Sequence, residues 1–147
     1  MDYRELAFYQ KGRMVTQALN AEIKTWPKSM PAQEIARQLF RASTSVGANI
    51  AEGHGRHVGQ EYIHFLTIAQ GSAIEADHWL NTALDCGIGN PGNIRQILSL
   101  NTETRKMLSA AINSLRNHAA NSIHETPPPY SPIPFSDPDD NPGVEIP

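Results

Sequence analysis

The sequence predicts an all-α fold: an up-down-up-down antiparallel four-helix bundle over residues 1–124, followed by a Pro-rich acidic C-terminal tail, 125–147. Three observations predict it. Apolar residues recur at spacings of three and four through four long segments, the mark of one buried helix face. Short connections of about 4–7 residues, marked by Pro and Gly, separate those segments, and long helices with short loops pack as antiparallel neighbours. Finally, 8 of the 11 prolines lie after residue 126, where neither helix nor sheet can form and an extended or disordered segment is expected.

The first helix is expected from about Tyr3 to Trp26, with Phe8, Gly12, Val15, Leu19, Ile23 and Trp26 on one face. Pro27 stops it, because proline lacks the amide and clashes with the preceding turn. The second is expected from about Pro31 to Glu52, capped by Ser29 and opened by Pro31, with Glu34 complementing the helix dipole. Its stripe is Ile35, Leu39, Ala42, Val46 and Ile50, and Gly53 and Gly55 suit a C-terminal cap. The third runs from about Gly59 to Cys86. Tyr62, Leu66, Ala69, Ala73, Ala76, Leu80 and Ala83 repeat by fours and threes, the period of nearly parallel packed helices. Gly87 and Gly89 end it. Asn90 caps the fourth, Pro91 opens it, and it fades near His124.

Composition narrows the class. Apolar residues are 39% and charged residues 18%, an ordinary globular balance. The first thirteen residues carry Asp2, Arg4, Glu5, Lys11 and Arg13, which predicts no signal peptide, and no stretch has the apolar length of a membrane span. The lone Cys86 permits no internal disulfide and suits a reducing, cytoplasmic setting. It is expected as buried helix-end filler, since no electropositive motif surrounds it. The formal charge of −3 averages two unlike parts. The tail holds five acids and no Lys or Arg, whereas residues 1–124 hold ten acids and all 12 bases.

The second helix contains Arg41-Ala42-Ser43-Thr44-Ser45-Val46-Gly47-Ala48-Asn49-Ile50-Ala51-Glu52-Gly53, rich in small residues, and the third answers with Ala69-Gln70-Gly71-Ser72-Ala73. Mid-helix Gly costs roughly 1 kcal/mol against Ala, and a close backbone approach offsets that cost. The favoured contact is between helices two and three; a contact between subunits is the alternative.

These residues resemble the four-helix-bundle family encoded in intervening sequences of bacterial 23S rRNA genes. Asn49-Ile50-Ala51-Glu52-Gly53, after Arg41-Ala42 and before Arg56, is similar to its signature. The match continues through Glu61, Phe65-Leu66, Ala69, Gly71-Ser72 and Glu75, with Leu6 and Tyr9-Gln10-Lys11 upstream. Gly47 stands where the signature usually has proline, and Tyr9 where it has Trp. The resemblance implies a homo-oligomer, a five-membered ring. It also implies kinship with the accessory variability determinant of diversity-generating retroelements, a basic ring that binds a reverse transcriptase and RNA.

Chemistry-bearing constellations are sparse. Glu61/His64 and Glu75/His78 are Glu-x-x-His pairs, but a di-iron bundle needs such pairs on two helices. Here both lie on one helix, ~21 Å apart. His54, His57 and Glu61 make a three-ligand metal site conceivable, against a plain polar loop. Gly53-His54-Gly55 follows a helix rather than opening one, so it is no phosphate loop, and no serine elbow appears. The chain is therefore expected to be no enzyme and to need no cofactor. Nucleic-acid contact rests on Arg37 and Arg41, one turn apart, on Arg56, and on Arg95, Arg105 and Lys106 of the fourth helix, which suit phosphates without reading bases. The alternative is an ordinary solvated surface on a body of modest charge. The tail's Pro127-Pro128-Pro129-Tyr130 offers a polyproline docking segment or a solvating linker.

Overall fold

The computed structural model of the protein describes residues 1–56 and 59–124; the expectations for His57 and for the tail fall outside the described residues. It is all-helical, with no strand among the described residues. A 3₁₀ turn, Tyr3–Glu5, precedes α1 (Ala7–Ile23), α2 (Met30–Arg56), α3 (Gly59–Asp85) and α4 (Pro91–His124).

Contacts across each seam fix the topology. Tyr9, Gly12 and Thr16 of α1 meet Gly47, Val46 and Ser43 of α2 in that order. Arg41, Ser45 and Gly53 of α2 meet Glu75, Ser72 and Phe65 of α3. Gln70 and Asp77 of α3 meet Ser109 and Arg105 of α4. Lys11 and Glu22 of α1 meet Glu103 and Asn93 of α4. In every pair one number rises as its partner falls, so each neighbour is antiparallel. The helices stand at the corners of a square that α1 and α4 close.

The expected stripes form the core. Leu19, Leu39, Ala42, Ile50, Leu66, Ala69, Ala73, Ala76, Leu80, Ala83, Ile94 and Leu108 are wholly buried, and Val46 nearly so. Burying one such Leu or Ile stabilises the fold by roughly 1.5–3 kcal/mol. The core divides in two. One cluster, around Leu19, Trp26, Leu39 and Leu80, fills the end where α1 turns into α2. The other, around Ile50, Leu66 and Leu108, fills the opposite end. Between them lie Thr16 bonded to Ser43 (2.7 Å), Asn101 donating to the Ala73 carbonyl (2.8 Å), and Thr104 donating to the Leu100 carbonyl (3.0 Å). These partners matter because an unsatisfied buried donor costs about 1–3 kcal/mol.

The caps mostly follow the sequence. The Ser29 carbonyl accepts from Gln33, and Asn90 Oδ1 accepts from the Asn93 amide at 3.0 Å. After α3, Ile88 N donates to the Ala83 carbonyl and Gly87 N to that of Leu84, a Schellman motif. Gly87 and Gly89 have φ of 66° and 80°, which glycine adopts without strain. Glu22, only 4% exposed, locks this corner. Its carboxylate accepts from the Asn90 amide (2.6 Å), the Asn93 side chain (3.1 Å) and Trp26 Nε1 (3.4 Å). A carboxylate is favoured there because it faces the positive end of α4.

Four expectations are corrected. The first helix does not start at Tyr3: Asp2 and Glu5 form a capping box on a separate 3₁₀ turn, and α1 begins after extended Leu6. Nor does it reach Trp26, which packs into the core beyond its end. The second helix does not stop at Gly53 and Gly55 but continues to Arg56. Gly53 is buried against α3, and a Cβ there would lie 2.7 Å from Phe65 Cβ and 3.1 Å from Tyr62 Cδ2. Cys86 is exposed rather than buried: it falls just past the end of α3, and Ile88, two residues on, takes the core position at this corner.

Candidate nucleic-acid interface

The helices distribute charge unevenly. α3 carries Glu61, Glu75, Asp77 and Asp85 and no Lys or Arg, whereas α4 carries Arg95, Arg105, Lys106 and Arg116 against Glu103 alone. Diagonally opposite α3, α1 adds Lys11 and Arg13. The weak total charge therefore hides an acidic side and a basic side.

The six sequence-predicted contact residues separate into two groups. On α2, each arginine is engaged by a carboxylate. Arg37 bonds Glu34, one turn earlier. Arg41 reaches across the seam to Glu75 Oε1 at 2.6 Å and also donates to Gln38. Arg56 donates to Glu52 at 2.8 Å and lies 5.6 Å from the Phe65 ring centroid. The Glu52 hydrogen bond pushes the Arg56 pKa up, fixing its charge. Such exposed pairs contribute little to stability, typically below about 1 kcal/mol, but they set where the guanidinium points.

On α4 the arrangement is more open. Arg105 and Lys106 line a groove of about 340 Å³ against α3, together with Gln70, Thr102 and Ser109. Gln70 Nε2 donates to Ser109 Oγ at 2.5 Å, tying the two walls together. Arg105 makes one long bridge to Asp77, 3.5 Å. Lys106 is exposed, and neither it nor Arg95 makes an ion pair among the described residues. Two cations with neutral hydroxyl and amide groups between them suit a phosphate: the charges attract it and the neutral groups offer hydrogen bonds. Arg95 lies about 15 Å away along α4 by helix rise, so it belongs to the same side but not the same groove. Sequence reasoning missed Gln70, Thr102 and Ser109, whose neutral side chains carry no charge signal.

The remaining candidates find other uses. Glu75 is occupied by Arg41 and by Trp79 Nε1, and His78 packs on Trp79 at 4.8 Å. A ring nitrogen of His54 bonds the Met1 carbonyl at 2.8 Å. Among the described residues no group of three or more His, Cys, Asp or Glu is placed to hold a metal ion, and no helix is long and apolar enough to cross a membrane.

Fold and surface together define a class: an antiparallel four-helix bundle with a satisfied core, shallow interhelical grooves and a polarised charge distribution. Within that class, the family model of the 23S rRNA-intervening sequence proteins matches residues 4–110. The chain belongs to that family. A crystal structure of a protein with unknown function from the S23 ribosomal protein family of Bacteroides thetaiotaomicron is similar, with a TM-score of 0.63 and 24% identity over 72% of this chain and 95% of that one. At that identity it shows the fold alone. Curated proteins give no match.

Proposed function

We propose that this chain is a non-enzymatic cytoplasmic accessory protein that assembles with copies of itself and holds RNA through phosphate contacts. The observation that carries the reading is the α3–α4 groove, where Arg105 and Lys106 flank Thr102, Ser109 and Gln70. Self-association is supported by Ile68 and Ile74, 39% and 48% exposed on acidic α3, with a basic side elsewhere on the same molecule for a neighbour to meet. A homopentamer, and a reverse transcriptase as protein partner, are what the resemblance implies for such an assembly.

The test is titration of a fluorescent 20-nucleotide single-stranded RNA at several salt concentrations. Charge reversal of Arg105 and Lys106 should weaken binding by about tenfold or more and flatten the salt dependence. Reversal of Arg37 and Arg41 should do less, since both already answer carboxylates. An unchanged titration in the Arg105/Lys106 variant would remove the groove from this role. Light scattering of the same samples gives the assembly mass.

The carboxylate engagement of Arg37, Arg41, Arg56 and Arg105 favours a second reading, a protein-interaction oligomer with no nucleic-acid role. RNA binding no tighter than that of a neutral-surface control would select it.

A further inference from the structure

The polarised bundle and its tail carry opposite charge, and geometry lets them meet. From Lys106 to His124, α4 contains Arg116 and no acid. The tail starts where α4 ends and carries Glu125, Asp137, Asp139, Asp140 and Glu145 with no base. Lys106 lies 18 residues before His124, ~27 Å back along the helix. The 13 steps from His124 to Asp137 span up to ~40 Å at the ~3.1 Å rise of a proline-rich chain. The acidic cluster therefore reaches the groove with length to spare. Along α4 itself the way is accommodating, because Ser109, Ala110, Asn113 and Ser114 are small and α4 carries no acid beyond Glu103, although Asp77 of α3 stands 3.5 Å from Arg105 at the groove and must share it. The α2 arginines are poorer targets, each engaged by an acid of the bundle, whereas in the groove Arg105 makes only its long bridge to Asp77 and Lys106 makes no ion pair among the described residues.

We propose that Asp137, Asp139 and Asp140 of the chain's own tail fold back along α4 and occupy the Arg105–Lys106 groove, so that a polyanion must displace them. The docking stands on charge and reach; its regulatory consequence rests on the RNA reading above. Attraction of this kind weakens as salt shortens the screening length, so the tail would act as a competitor strongest at low ionic strength.

Zero-length carbodiimide coupling of the intact chain tests this directly, because it joins only carboxylates and amines already in contact. Coupling is run on an equal mixture of ¹⁵N-labelled and unlabelled protein and mapped by mass spectrometry. The expected product joins an aspartate of 137–140 to Lys106 within one isotope class. It is lost in the full-length D137N/D139N/D140N variant, whose bundle is unaltered. Absence of Lys106 coupling, equal coupling to Lys11, Lys24 and Lys28, or mixed-isotope products would overturn docking on the chain's own α4, the last in favour of a second copy. The same variant should then bind the 20-nucleotide RNA roughly tenfold more tightly at low salt, with the gap closing as salt rises. Equal affinities overturn the competition. Coupling to Lys106 in a protein that binds no RNA leaves the dock standing and removes the RNA reading.

Discussion

Both sides of α2 are built from the same run of small residues, yet they pack in opposite ways. Toward α3 the run closes a seam: Ser45 bonds Ser72 at 3.0 Å, and Gly53 leaves no room for a Cβ beside Phe65. Toward α1, Thr16 also bonds Ser43, at 2.7 Å, but Tyr9, Gly12, Thr16, Ser43, Gly47 and Ala48 line an open groove of about 180 Å³, and a Cβ added to Gly47 would meet Tyr9 at 3.4 Å, an ordinary contact. Phe40, elsewhere on α2, is 40% exposed. The difference teaches that small side chains permit close approach without enforcing it. What closes the α3 side is the partner, which brings Phe65 and Tyr62 against Gly53 and Leu66 into the core with Val46 and Ile50. On the α1 side Tyr9 and Val46 stand off at 3.4 Å from where a Cβ on Gly47 or Gly12 would lie, and the rest of the contact is small against small.

Substitutions can break or sharpen that contrast. The largest effect is expected from Leu66→Ala, wholly buried on the closed side, at about 2–5 kcal/mol of lost stability. Chemical denaturation reads it, and a loss below about 1 kcal/mol would mean the closed side is loosely packed. Asn101→Ala, which removes the donor to the Ala73 carbonyl in the layer between the two clusters, should cost about 1–2 kcal/mol in the same assay. Phe40→Ala should cost less than about 1 kcal/mol, because much of the ring is already in water. Gly71→Ala should stabilise by up to about 1 kcal/mol: no atom lies within 4 Å of a Cβ there, so helix propensity acts alone.

The smallest effect concerns pH. Hydrogen bonds from Arg4 hold the Asp2 carboxyl at about 2, below its ordinary 3.8. A depressed carboxylate pKa favours the folded cap above about 3.8, and that preference is lost as pH falls toward 2. The capping box holds Tyr3, whose ring meets Tyr9 edge-on at 5.0 Å beside the open groove. Proton NMR should show Tyr3 and Tyr9 shifting between pH 4 and 2 while core methyls stay fixed.

Much of the fold was legible because burial follows spacing. The stripes of α2 and α3, the Ser29 and Asn90 caps and the glycine stop at Gly87 all depend on local sequence. Gly53 was misread for a physical reason: glycine suits both a helix end and a close crossing, and only Phe65, distant in sequence, distinguishes them. The candidate site was half legible. Counting charge found Arg105 and Lys106, but it could not show that Arg41 faces Glu75, 34 residues away. It also passed over Gln70, Thr102 and Ser109, since neutral residues on a helix surface look alike until a groove collects them.

The contrast between the two sides of α2 is tested most directly by thermal unfolding of two matched variants, Gly53→Ala and Gly47→Ala. Both add one methyl group to the same helix. Gly53→Ala should lower Tm by several degrees, reflecting about 1–3 kcal/mol of overpacking, whereas Gly47→Ala should leave Tm unchanged or raise it. Equal shifts, or a stabilised Gly53→Ala protein, would contradict the closed seam on which this assignment of the bundle's two faces depends.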